Sequence, residues 1–129
     1  MTGIDFELVA DRYIAVWNER DGGHRRELIA ETWTEDGSYL DPMMRGDGAE
    51  GIDAMIGGAQ EQFPGHAFRR LGAADAHADR LRFSWELTPT AGGAAVGAGT
   101  DFGVVAPDGR LRTITGFLDQ TPAPLEIGG

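Results

Sequence analysis

The sequence predicts an α+β fold: three N-terminal helices with one short strand among them, and a curved antiparallel sheet wrapped on them. Two observations predict it. Apolar residues recur with helical period as far as Phe63 and alternate in the strand manner afterwards. The alternating half is cut by turn signals at Ala91-Gly92-Gly93 and Pro107-Asp108-Gly109. Segregated helices followed by meandering strands make a layered α+β architecture. The 129 residues suit one domain with one core. No repeat or linker divides residues 1–129, and the Pro- and Gly-containing tail from about 121 is expected to be loose.

The first helix is expected from Asp5 to about Arg20. Phe6, Val9, Tyr13 and Trp17 form one stripe on it, which places Tyr13 on the buried face. Asp21-Gly22-Gly23 is read as its end. A second helix follows from about His24 to Trp33, with Leu28, Ile29 and Trp33 inward. Asp36-Gly37 reads as a turn, and Ser38 to Asp41 as a short strand that Pro42 ends. Tyr39 and Asp41 share a face of that strand. Arg45 to Glu50 is read as a polar loop. The third helix, Gly51 to Phe63, carries Ile52, Met55, Ile56, Ala59 and Phe63 at helical period.

Four strands are expected next: Ala67–His77, Arg80–Thr88, Ala94–Ala106 and Leu111–Gln120. The second alternates clearly, with Leu81, Phe83, Trp85 and Leu87 on one face. The last two carry apolar residues on both faces: Val96, Phe102 and Val104 against Val105, and Ile114 and Leu118 against Leu111 and Phe117. One face can pack on the helices. A homodimer across the sheet is the expected cover for the other.

The formal net charge of −10 argues against nucleic acid, whose phosphates need a basic surface, and against anionic membranes. An apolar or weakly polar small molecule fits it better. No apolar run is long enough to cross a membrane. The start, MTGIDFELVADRY, is acidic and helix-patterned rather than a signal peptide, so a cytoplasmic protein is expected. The absence of cysteine excludes disulfides, thiolate nucleophiles and Cys-based zinc sites. Asp75, His77 and Asp79 alternate like metal ligands but adjoin a turn and have no fourth partner, so no metal is expected.

The order of elements resembles the nuclear transport factor 2-like superfamily, in its SnoaL-like and ketosteroid-isomerase-like branch. The segments DRYIAVWNERD, TEDGSYLDP, GIDAMI, GTDFGVV and DGRLRTITGFLD carry the resemblance, which runs from about Phe6 to Asp119. It implies a cone-shaped α+β barrel. Three positions match the ketosteroid isomerases. Tyr13, in Arg12-Tyr13, resembles the oxyanion tyrosine; Asp41, in Asp41-Pro42, resembles the general base; Asp101, in Thr100-Asp101-Phe102, resembles the protonated acid of the oxyanion hole. The resemblance implies cofactor-free isomerisation or polyketide cyclisation. The epoxide-hydrolase pattern of one Arg and two Asp is not found: Trp85 and Gly116 lie near where its acids would stand.

The residues themselves support a site. Half-buried at a strand end, Asp41 would be tuned by desolvation toward a base working near neutral pH. Asp101 shares its strand face with Gly97, Gly99, Gly103 and Val105, and these small neighbours suggest room for a ligand. A buried, unpaired acid is expected to be neutral and can donate to an enolate oxygen. Tyr13, if buried, needs a partner, which Asp101 or a ligand oxygen could provide. Trp17, Tyr39, Met55, Phe63, His66 and Trp85 are the expected walls of the pocket. A ligand-binding module and an interaction protein assembling through the sheet are the competing functions.

Overall fold

The structure is a computed structural model, which describes residues 3–121. The expected loose tail lies almost wholly outside them. Three helices, α1 (Phe6–Asn18), α2 (Gly22–Thr32) and α3 (Gly48–Gln62), cover one face of a six-stranded sheet. Its strands are β1 (Trp33–Leu40), β2 (Arg45–Asp47), β3 (His66–His77), β4 (Arg80–Pro89), β5 (Gly97–Val105) and β6 (Leu111–Gln120). Their spatial order is β2-β1-β6-β5-β4-β3.

The α+β class holds with two refinements. The sheet is mixed, because β1 runs parallel to β6 while the other pairs are antiparallel. It is also open, with β2 and β3 as edges, rather than closed into a barrel. Irregularities in the ladders of β1, β3 and β6 bend it around the helices. The β3 irregularity lies between Leu71 and Asp75, where Gly72 takes a φ of 72°.

Four local expectations change. Asp21-Gly22-Gly23 does not end α1; Asp21 caps α2, accepting from the Gly23 amide at 3.3 Å. Asp36-Gly37 is not a turn. It lies within β1, where the register on β6 shifts, and the indole of Trp33 packs over Gly37. The segment from Arg45 is not a loop, since β2 pairs with Ser38–Leu40 and α3 begins at Gly48. Finally, Leu111 and Ile114 are both buried, although period-two spacing puts them on opposite faces. A register shift opposite Val104 and Val105 turns Leu111 inward.

The core sits between helices and sheet. Val9, Tyr13, Val16 and Trp17 enter it from α1, and Ile52, Ile56 and Ala59 from α3. Leu81, Phe83, Trp85 and Leu87 enter from β4, as their alternation predicts. A polar clip joins the helices: Arg25 reaches Asp53 at 2.7 Å and the Gln60 side chain at 2.8 Å, while Gln60 donates to the carbonyls of Trp17 and Glu19. Among the described residues, no helix is long and apolar enough to cross a membrane.

Candidate active site

A narrow cavity of about 40 Å³ opens between α1, α3 and the inner face of the sheet. Its walls are mostly apolar, with Ile14, Phe68, Leu87 and Leu118 among them, and Met43 and Met44 also line it. The polar groups are Tyr13, Tyr39, Asp41, Gln62 and Asp101, with the indoles of Trp17 and Trp85.

Asp101 comes from the middle of β5 and is 2 % exposed. Its ladder neighbours are Phe83 on β4 and Gly116 on β6. Tyr13, 1 % exposed on α1, donates to Asp101 Oδ2 at 2.6 Å. Asp101 Oδ1 has no partner. Burial raises the Asp101 pKa from 3.8 to about 6. The Tyr13 hydroxyl and the facing Trp85 indole oppose that rise, and the nearby Asp41 charge adds to it. Burial, with the Asp101 charge beside it, also pushes the Tyr13 phenol well above its ordinary range.

Asp41 follows the last residue of β1. Its Oδ2 accepts from the Tyr39 hydroxyl at 2.5 Å. Its Oδ1 accepts from the backbone amides of Met43 and Met44 at 2.7 and 2.8 Å. An Asp before Pro caps its own turn in this way, so the local sequence fixes the carboxylate. Burial first, then the charges of Asp101 and Asp41, raise the Tyr39 phenol far above its usual range. Both phenols are therefore neutral donors.

Gly116 shows how close the two halves lie. A Cβ there would sit 3.0 Å from Asp101 Oδ1, 3.1 Å from Asp41 Cβ and 3.1 Å from the Tyr39 hydroxyl. The structure thus brings together two phenols and two carboxyls from α1, β1 and β5, with β6 supplying an empty position between them. Such an array can take a proton on one side of a bound molecule and stabilise negative charge on the other.

Of the expected site residues, Tyr13, Asp41, Asp101, Trp17, Tyr39, Phe63 and Trp85 all line the cavity. Met55 and His66 do not. Met55 lines a second depression beside α3, with Gly58 and Met43. The ring of His66 packs edge-on against Phe63, and its Nδ1 lies 2.9 Å from the Pro64 carbonyl, so it meets the site only through Phe63. Asp75 and Asp79 pair with Arg82 and Arg80.

The glycines beside Asp101 also differ from expectation. A Cβ on Gly99 would lie 2.5 Å from the Trp85 ring, and one on Gly103 3.0 Å from Ile114. These glycines receive neighbouring side chains, not a ligand. Gly116, Phe68 and Met44 are site residues the sequence reading missed. Met44 had a readable signal in Asp41-Pro42, whereas Gly116 depends on strand pairing.

No protein-family model and no curated protein matches the chain. Solved structures do. A provisionally named isomerase of the SnoaL-like family from Agrobacterium tumefaciens strain C58 is 41% identical. The match covers 88% of this chain and 97% of that one, with a TM-score of 0.84. A provisionally named SnoaL-like polyketide cyclase from Jannaschia sp. CCS1 is 16% identical over 92% of this chain and 91% of that one, TM-score 0.67. A provisionally named polyketide cyclase from Sinorhizobium meliloti is 16% identical over 87% and 95%, TM-score 0.66. The last two share the fold. The first shares sequence over nearly its whole length as well, and by that likeness this chain belongs to the SnoaL-like family.

Proposed function

We propose that the chain is a small-molecule enzyme that moves a proton beside the carbonyl of an apolar ketone, without a cofactor, as an isomerase or a polyketide-cyclase-type enzyme. The convergence of Asp41, Tyr39 and Asp101 around Gly116, in a mostly apolar cavity, carries this reading. The Asp41 carboxylate takes the proton from the carbon next to the carbonyl. The electron pair moves onto the carbonyl oxygen, where neutral Asp101, backed by Tyr13, stabilises the enolate. Asp41 then returns the proton to carbon, giving an isomer, or the enolate carbon adds to a second carbonyl of the same molecule, closing a ring, and Asp41 gives its proton to the alkoxide that forms. Tyr39 and the Met43 and Met44 amides hold the carboxylate in place. The names of the related structures suggest the same chemistry.

The test is turnover of a β,γ-unsaturated ketosteroid, followed in the ultraviolet, and exchange of α-protons of a small cyclic ketone into D2O, followed by NMR. Asp41→Asn should lose about 10²–10⁴-fold in both while folding normally. Unchanged turnover in that variant would sink the proposal.

A second reading is that the cavity holds an apolar ligand without converting it. It is favoured by the three donors already on Asp41, which hold both of its oxygens in contacts within the protein. Ligand recovered unaltered, with no α-proton exchange, after long incubation at saturating protein would select it.

A further inference from the structure

Tyr13 has one hydroxyl proton, and that proton is committed to Asp101 Oδ2. That proton is therefore not free for a ligand. The cavity nevertheless holds two other donors. Trp17 and Trp85 are each 6 % exposed, and both indole nitrogens are sealed from solvent without an acceptor. An indole N–H can only donate. Trp85 stands one inward position along the β4–β5 ladder from Asp101, and the Trp17 ring packs edge-on against Tyr13 with centres 6.2 Å apart, yet neither indole N–H makes a hydrogen bond.

Their orientation is built in. The Trp85 ring lies on the β5 backbone at Gly99, where a Cβ would approach it to 2.5 Å. Trp17 is held edge-on between Tyr39 and Phe68, at 5.3 Å from each ring centre. Two unpartnered donors and the free Oδ1 of Asp101 therefore belong to residues that line one mostly apolar cavity. The group that satisfies all three is a ligand oxygen: a carbonyl or enolate accepting from the indoles and from protonated Asp101, or a hydroxyl accepting from them and donating to ionised Asp101.

We propose that the indole N–H groups of Trp17 and Trp85 hold the substrate oxygen beside Asp101 Oδ1, with Tyr13 positioning Asp101 through Oδ2. This rests on the proton-transfer reading for its choice of substrate, but its test does not need turnover. The site then selects an apolar molecule with one oxygen at its buried end over the same skeleton without it.

The probes are 2-naphthol and naphthalene, which differ in that oxygen. In the ¹⁵N-labelled chain the three tryptophans give three indole signals, and Trp33, which packs behind Tyr13 and does not line the cavity, is the internal reference. The naphthol should move the Trp17 and Trp85 signals downfield relative to naphthalene and leave Trp33 in place. Trp85→Phe should weaken naphthol about tenfold and naphthalene much less. Equal responses to both probes, equal weakening of both by Trp85→Phe, or no saturable binding of naphthol would each overturn the assignment. The same shifts should persist in Asp41→Asn, so failure of the base and failure of the indole donors are separate outcomes.

Discussion

At 2 % exposure Asp101 has lost its hydration, and one of its oxygens has no compensating partner. Its pKa rises from 3.8 to about 6, so over that interval the folded chain holds a proton that the unfolded chain has released. Its contribution to stability is full below about pH 4 and is lost as pH rises through about 6. The loss is about 3 kcal/mol at most. Asp101→Asn keeps an acceptor for Tyr13 and removes the charge. It should raise stability toward that limit at pH 8 and change it little at pH 4, as read by urea unfolding at both values. Activity should follow the same titration: if neutral Asp101 stabilises the enolate, kcat/KM falls as pH rises through about 6. A profile that rises there would move the role of base from Asp41 to Asp101.

Between elements, the site depends on how β6 lies against β1 and β5. Gly116 pairs with Asp101 in the β5–β6 ladder, and Ile114 and Thr115 pair with Tyr39 and Leu40 across the parallel β1–β6 contact. Adding a methyl at Gly116 forces its three polar neighbours apart by a few tenths of an ångström. Gly116→Ala should keep the fold, cost about 1 kcal/mol, and lower kcat about tenfold, because small misplacements weigh heavily on proton transfer. The Arg25 clip acts from farther away. Through Gln60 it fixes the carbonyl of Trp17, the last buried residue of α1. Arg25→Met takes the donor from Gln60 and leaves Asp53 only the exposed Arg26 at 3.5 Å, so we expect a loss of about 2 kcal/mol in a denaturant titration.

At the scale of the whole molecule, the outer face of the sheet is the open question of assembly. Leu40, Thr115 and Phe102 form one row across β1, β6 and β5, and Thr100 and Phe117 a second. Phe117 is 59 % exposed and Leu40 52 %. The homodimer expected from the sequence would bury this patch, and a stable one needs about 800 Å² from each partner. Sedimentation equilibrium should then give twice the 13.8 kDa chain mass, and Phe117→Lys should return it to the monomer with its fold intact. A monomeric native chain would remove the sheet-face dimer.

By itself the sequence determined the kind and order of most elements, since helical period and strand alternation are local properties. The alternation of Leu81, Phe83, Trp85 and Leu87 gave the buried face of β4, and Leu111–Gln120 gave the bounds of β6. Resemblance and residue pattern together picked out Tyr13, Asp41 and Asp101. Only the tertiary structure decided that they meet. Alternation tells which face a residue occupies, not which strand lies beside it, so the pairing of Asp101 with Gly116 and the parallel contact of β1 with β6 could not be read. The same limit hid the bulge that turns Leu111 inward and the reason for Gly99, which gives way to the indole of Trp85 on the neighbouring strand. Those features come from hydrogen bonds and close contacts between segments far apart in sequence, which no local pattern records.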